Sequence, residues 1–228
     1  MEIAPGIHKI DKIRGANSYL VTIANSILII DTGLPGNGKE IIEYIEKLGR
    51  NQHDVEYIIL THADPDHSGS IAELKQMTNA KVAIHEADAS SLSGEREPKR
   101  VSGILSTIFK MMLKRMKFQP VKPDLLLKES NEISGLKVIH TPGHTEGSIC
   151  LYRAGELLFA GDALRSDGKG NLKLPPKVMT LDIKQAWESV RKISQLEFNI
   201  LLPGHGNPVR QNASKMVRAL DARTKTQI

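Results

Sequence analysis

A short stretch in the first third of the chain gathers four side chains that can bind metal. It reads Thr61-His62-Ala63-Asp64-Pro65-Asp66-His67 and directly follows the apolar run at 57–60. Imidazole nitrogens and carboxylate oxygens are the usual protein ligands of divalent metals. A polar turn is the simpler alternative, because aspartate, proline and histidine are common in loops. On its own, this stretch leaves both interpretations open.

Three more side chains of the same chemical type occur further along the chain. They are His144, Asp162 and His205, which follow the apolar runs at 136–139, 157–160 and 200–202. Glycine or proline stands beside each of them and allows a sharp turn at the end of a strand. A dinuclear metal site needs about six or seven ligands, and side chains from several strand ends can meet at one rim of a sheet. The sequence therefore predicts a metal-binding cleft at such a rim.

The elements that must position these residues alternate between strands and helices. Short β-branched runs fill the first thirty residues, and helical spacing of apolar residues follows at about 38–49, 71–77 and 182–196. This alternation predicts a sheet with helices packed on its faces. The second half repeats the order of the first, and no linker separates them. We therefore predict a single domain over 1–228 that is made of two similar halves.

One segment, 98–123, departs from this pattern. It contains a predicted helix at 102–118 with isoleucine, leucine and methionine on one side and lysine on the other. We interpret it as a helical insertion with an amphipathic, basic helix. A lid or wall of the cleft is one role for it, and packing on the domain or on a second subunit is the other.

Composition limits the function classes. The 228 residues carry a formal net charge of +5 and 25% charged residues, which does not indicate a nucleic-acid partner. The single cysteine, Cys150, excludes an internal disulfide and is expected to be a buried structural thiol. No signal peptide or membrane span is visible, so a cytoplasmic enzyme with a small-molecule substrate is expected. Whether it forms a homodimer stays open.

Taken together, Asp31, the stretch at 61–67, His144, Asp162 and His205 resemble the five signature motifs of the metallo-β-lactamase superfamily. The motifs occur in the family's order and cover most of the chain, from Asp31 to His205. The resemblance implies an α/β fold, a four-layer αββα sandwich, with a dinuclear metal site at one edge of its sheets.

The resemblance also implies a role for each motif residue. The first metal ion would be held by His62, Asp64 and His144, the second by Asp66, His67 and His205, with Asp162 bridging the two ions. Asp31 would hydrogen-bond to a ligand and orient it without touching metal. The remaining histidines, His8, His53, His85 and His140, are expected to have structural or indirect roles.

Asp64 is a departure from the family, which usually has histidine at this position. Some members that resemble flavodiiron proteins carry an acidic residue there, so the site is not lost. The added carboxylate suits iron or manganese better than an imidazole does, although zinc tolerates it. Two divalent ions are therefore expected, zinc first, with iron or manganese as alternatives.

The leading functional hypothesis is metal-dependent hydrolysis. A hydroxide bridging the two ions would attack an ester, thioester, lactone or phosphoester, and Asp66 would act as the catalytic residue by steering it. The alternative is a non-haem diiron oxidoreductase that handles oxygen or nitric oxide, or a dioxygenase; an RNA-processing nuclease is less favoured. Arg165, three residues past Asp162, is a candidate for binding a substrate carboxylate or phosphate, with a surface ion pair as the simpler use.

Overall fold

A computed structural model describes residues 1–96, 118–167 and 170–224 of the chain. The predicted helix at 102–118 lies outside these residues except for Phe118, so its role stays a prediction. The chain divides into two compact units, Met1–Leu126 and Leu127–Ile228. Each unit is mixed α/β, as predicted, whereas the assignment of the whole chain to one domain stays a prediction.

The first unit contains a seven-stranded sheet whose strands are neighbours in chain order. The strands are β1 (Glu2–Ala4), β2 (Ile7–Lys9), β3 (Tyr19–Ile23), β4 (Ser26–Ile30), β5 (Val55–Ile59), β6 (Lys81–His85) and β7 (Leu125–Leu127). Strands β1 to β4 pair antiparallel, and β4, β5 and β6 pair parallel. The segment 61–67, which carries ligand-type residues, follows the end of the parallel strand β5.

Four helices and two 3₁₀ turns complete the described part of the first unit. They are α1 (Gly38–Lys47), α2 (Pro65–Ser68), α3 (Ile71–Thr78), α4 (Ala89–Leu92) and the turns Gln52–Asp54 and Glu86–Asp88. The apolar spacing in α1 places Ile41, Ile42 and Ile45 in the core, and Gly49, with φ 70°, follows its end as a left-handed cap residue. Nowhere in the described ranges is a helix long and apolar enough to cross a membrane.

The core of this unit lies against the central strands. In β4 the residues Ile27 to Ile30 are all at most 1% exposed, as expected for a strand that is covered on both faces. Each buried aliphatic side chain contributes about 1.5–3 kcal/mol relative to an exposed one. The well-packed sheet is therefore expected to fix the position at which the loop leaves β5.

The second unit contains a five-stranded sheet in the order β14-β11-β10-β9-β8 and a separate two-stranded ribbon. The strands are β8 (Glu132–Ile133), β9 (Leu136–His140), β10 (Ile149–Arg153), β11 (Leu157–Gly161), β12 (Arg165–Ser166), β13 (Leu172–Lys173) and β14 (Ile200–Pro203). Only β11 and β14 pair parallel in the described part of this sheet, so their carboxyl ends share one edge. Helices α5 (Ile183–Ser194) and α6 (Ala213–Thr224) and the 3₁₀ turn Lys177–Met179 complete the described part of the unit.

Cys150 lies in the core of the second unit. It is fully buried, with its Sγ 3.5 Å from the Thr141 hydroxyl. Burial raises the pKa of the Cys150 thiol to about 12, since the thiolate would lose its hydration there. The expected buried structural thiol is thereby confirmed.

Candidate metal centre

The ligand-type residues of the first unit lie on the loop after β5 and on the short helix α2. Pro65 is the first residue of α2, a position where proline costs no hydrogen bond. The rings of His62 and His67 are fully buried and their centroids are 4.0 Å apart. Ligand atoms lie within 4.8 Å of one another in the pairs His62–Asp64, His62–His67 and Asp66–His67. Two imidazoles and two carboxylates of this unit are therefore brought together.

Asp64 occupies the N-cap position of α2, where an aspartate usually accepts hydrogen bonds from the first helical amides. In the described part of the chain, which includes all of α2, its side chain makes no such capping bond. Instead, Oδ2 lies 3.7 Å from Nε2 of His62. The carboxylate is thus oriented as a metal ligand would be, and the interpretation of 61–67 as an ordinary polar turn loses support.

Asp31 fixes the orientation of His67. It is 2% exposed, and its Oδ1 accepts from the Thr61 amide while Oδ2 accepts from the Thr61 hydroxyl, both at 2.8 Å. Oδ2 also lies 2.8 Å from Nδ1 of His67. Because a carboxylate oxygen only accepts, Nδ1 is the protonated nitrogen and Nε2 carries the lone pair. This is the contact that the resemblance implies for Asp31.

The backbone of α2 is fastened to two earlier loops. The Thr32 amide and hydroxyl donate to the His67 carbonyl at 2.6 and 2.9 Å, and the Ala16 amide donates to the Asp66 carbonyl at 2.9 Å. Asn37, 1% exposed, joins these loops through bonds from its Nδ2 to the carbonyls of Arg14 and Leu34. The positions of these ligand-type residues are therefore set by three chain segments.

The three ligand-type residues of the second unit also come together. Asp162 is 3% exposed, and its two oxygens face two different imidazoles. Oδ2 lies 3.7 Å from Nε2 of His144, and Oδ1 lies 3.6 Å from Nε2 of His205. Metal–ligand bonds of about 2.0–2.2 Å at tetrahedral angles separate two ligand atoms by about 3.4 Å. Both separations are close to this value, as expected for pairs of side chains able to hold metal.

Close backbone contacts hold these three residues. The Gly204 amide donates to the Gly161 carbonyl at 2.7 Å, which ties the loop of His205 to that of Asp162. Gly143, with φ 131°, lies against the first turn of α5, where a Cβ atom would overlap the Ala186 backbone. The Asp182 amide donates to the Gly143 carbonyl at 2.9 Å. The loop before His144 is thus pressed onto α5.

The other candidate residues lie in varied surroundings. Arg165 is half-buried in β12, and the next residue, Ser166, donates its amide to the His205 carbonyl at 3.1 Å. Among the remaining histidines, His8 lies near Tyr44, His85 accepts from the Ala87 amide, and Nε2 of His140 lies 2.9 Å from the Glu146 carbonyl. These contacts are of the structural kind that was expected.

Sequence reasoning missed the residues that hold the ligand loop, that is, the segment 61–67 that follows β5. Thr61 and Asn37 donate the bonds described above, and Asp88 accepts from the Ala63 amide. Thr61 could have been noticed from its place directly before His62. Asn37 and Asp88 carry no periodic or motif signal, because Asn37 bonds to Arg14, 23 positions away, and Asp88 bonds to Ala63, 25 positions away.

The family model described as "Metallo-beta-lactamase superfamily" matches residues 12–205, most of the chain. The chain belongs to the metallo-β-lactamase superfamily. An uncharacterized protein of Bacillus subtilis (strain 168), YobT, is 33% identical over 221 residues, which cover 92% of this chain and 91% of that protein. The probable metallo-hydrolase YflN of the same organism is 29% identical, and the match covers 91% of this chain and 86% of YflN.

A solved structure supports the fold of this metallo-β-lactamase superfamily member. A metallo-β-lactamase family protein from Thermus thermophilus superposes with a TM-score of 0.74 at 24% identity, over 99% of this chain and 81% of that one. The predicted family, the α/β metallo-β-lactamase fold and the enzyme class of metallohydrolase are confirmed. Histidine and aspartate side chains among the described residues form clusters able to hold metal, and the identity and number of ions belong to the proposal below.

The close contact of Gly143 with α5 gives a testable prediction. We expect Gly143→Ala to lower the free energy of unfolding by more than about 3 kcal/mol, because backbone strain and overpacking each cost about 1–3 kcal/mol. Gly155→Ala is the matched control, since Gly155 also has a positive φ but a methyl group added there would have no neighbouring atom within 4 Å. It should cost about 1 kcal/mol.

The measurement is denaturant unfolding followed by the fluorescence of the single tryptophan, Trp187, which lies in α5 beside Ala186. Equal losses for the two alanine variants would show that the loop before His144 is not packed on α5 as described.

Proposed function

We propose that this metallo-β-lactamase superfamily member is a metal-dependent hydrolase whose seven ligand residues together hold two divalent ions. His62, Asp64 and His144 hold one ion, Asp66, His67 and His205 hold the other, and Asp162 bridges them. The observation that carries the proposal is the placement of the two Asp162 oxygens toward His144 and His205 at 3.7 and 3.6 Å. The buried imidazoles of His62 and His67 in the first unit also support the proposal.

The chemistry follows from these side chains. When bound, the ions would lower the pKa of a coordinated water and polarise the carbonyl or phosphoryl oxygen of a substrate. Asp66 would be one of the residues that hold a metal ion, and its carboxylate would accept the proton of the attacking water and return it to the leaving group. Asp31 keeps the proton of His67 on Nδ1, so that Nε2 stays available as a donor of electrons.

The substrate is proposed to be a small ester, thioester or lactone, with a phosphoester as the broader alternative. An exposed apolar turn supports the acyl compounds: Val178, Met179 and Leu181 are 85%, 45% and 46% exposed. The Leu181 amide donates to the carbonyl of His144 at 3.3 Å, so the turn is attached to the backbone of a proposed ligand. Exposed apolar groups beside a reaction centre favour an apolar acyl group over a charged phosphoryl group.

Metal content tests the proposal most directly. We expect purified protein to bind two zinc equivalents, and a chelator to abolish hydrolysis of p-nitrophenyl esters or simple lactones. Asp162→Asn should weaken the affinity for at least one ion by more than about tenfold, because it removes the bridging charge while keeping the side-chain volume.

Glu132→Gln, which makes the same chemical change at an exposed position of β8, should leave metal content and activity unchanged. A wild-type protein that binds no transition metal would rule the metal centre out, and an Asp162→Asn variant with normal affinity would rule out the bridging role of Asp162.

Asp64 is expected to decide which metal is retained. Replacing it by histidine substitutes a neutral nitrogen donor for an anionic oxygen, which favours zinc over iron or manganese. We therefore expect Asp64→His to retain zinc better than the wild type in competition with iron or manganese, measured by elemental analysis after dialysis. An unchanged metal preference would mean that Asp64 does not bind metal. Retention of iron with no hydrolysis in the wild type would instead favour the oxidoreductase alternative.

Arg165 is proposed to bind an anionic group of the substrate, since its strand is hydrogen-bonded to the backbone of His205. We expect Arg165→Ala to raise KM about tenfold for esters that carry a carboxylate and to leave KM for neutral esters of equal length unchanged. Arg153→Ala is the control, because Arg153 forms a surface ion pair with Glu156. Equal effects on both substrate classes would remove the assigned role.

A further inference from the structure

A buried carboxylate outside the proposed ligand set contacts the backbone of the ligand loop. Asp88 ends the 3₁₀ turn after β6 and is 4% exposed. Its Oδ2 accepts a hydrogen bond from the Ala63 amide at 3.1 Å. Ala63 stands between His62 and Asp64, both of which are proposed ligands. The contact therefore bears on the direction in which two ligand side chains leave the loop.

The Ala63 residue is held at its carbonyl as well. The Ser68 hydroxyl lies within hydrogen-bond distance of the Ala63 carbonyl at 3.0 Å and of the Asp64 carbonyl at 3.1 Å. Ala63 is 3% exposed, so its amide cannot exchange Asp88 for bulk water without local opening. A buried amide that loses its acceptor costs about 1–3 kcal/mol. Loss of the Asp88 acceptor would thus favour a rotated peptide between His62 and Ala63.

We infer that Asp88 is a positioning residue for the metal centre: its carboxylate fixes the Ala63 amide and thereby the directions of His62 and Asp64. The inference rests on the proposed function, because it concerns the geometry of two proposed ligands. A carboxylate suits this task, since a hydrogen bond to a charged acceptor is roughly twice as strong as one between neutral groups. Residues that orient metal ligands typically change metal affinity about 10- to 100-fold when they are removed.

The same unit contains a matched control. Asp124 also accepts a backbone amide, that of Val82 in β6, at 2.8 Å from its Oδ2, and it pairs with Lys75. Asp124→Ala therefore removes a carboxylate-to-amide bond that holds a strand instead of the ligand loop. It separates a general loss of stability from a loss of ligand positioning.

The experiment compares Asp88→Ala, Asp88→Asn and Asp124→Ala by two measurements. Zinc affinity is measured by competition with a chromophoric chelator, and hydrogen exchange of the Ala63 amide is followed by NMR in the metal-free protein. We expect Asp88→Ala to weaken zinc binding at least about tenfold and to speed Ala63 exchange. Asp88→Asn keeps an acceptor but loses the charge, so it should fall between the wild type and Asp88→Ala in both measurements. Asp124→Ala should change neither.

Two results would overturn the role of Asp88. One is wild-type zinc affinity and wild-type Ala63 exchange in Asp88→Ala, and the other is an equal loss of both in Asp124→Ala. Failure of the wild type to bind zinc would contradict the proposed function instead. In that case unchanged Ala63 exchange in Asp88→Ala would still reject the hydrogen-bond role, because that measurement needs no metal.

Discussion

The orientation of the histidine and aspartate side chains in the first unit depends on the buried carboxylate of Asp31. This residue has a φ of 57°, a left-handed conformation that costs a residue other than glycine about 1–2 kcal/mol. The strain is offset by the bonds that its two oxygens accept from Thr61 and His67. The left-handed turn is what lets a side chain at the end of β4 reach the loop that leaves the neighbouring strand β5. Backbone strain here serves the orientation of an imidazole.

The second unit places its ligand-type residues at strand ends and through close backbone contacts. Its ligand-type residues come singly from the ends of β9, β11 and β14, and parallel pairing places the ends of β11 and β14 at one edge. Glycine then allows backbones to touch, as where Gly204 bonds to Gly161 and Gly143 meets α5. Close backbone contacts therefore help to place the ligand-type residues of the second unit, whereas Asp31 acts on those of the first unit through side-chain hydrogen bonds.

Sequence patterns predicted most strands and the ligand-type residues, because strand periodicity and strand-end turns are local signals. Helical spacing predicted a helix at about 71–77, and the structure has in addition the short helix α2, which a break at Gly69 and Ser70 separates from α3. The reason is tertiary: the Gly69 amide donates to Gly33 and the Ser70 amide to the Thr32 hydroxyl, so neither continues the helical ladder. The roles of Asn37 and Asp88 were missed for the same reason, since both act on distant loops. Two-residue strands such as β8 are too short to leave a pattern.

Asp64 shows how a local preference was overridden. An aspartate at the N-cap of a helix is among the most favourable residues there, and its capping bonds typically contribute about 1 kcal/mol. The side chain of Asp64 forgoes those bonds, while the His67 and Ser68 amides donate to its backbone carbonyl instead. The helix start is therefore satisfied by the main chain, and the carboxylate is turned toward His62. The segment that carries the buried imidazoles of His62 and His67 thus offers two carboxylates, Asp64 and Asp66. Carboxylates grouped with imidazoles are well compensated by a bound cation, which is the physical reason to expect a divalent ion at this segment.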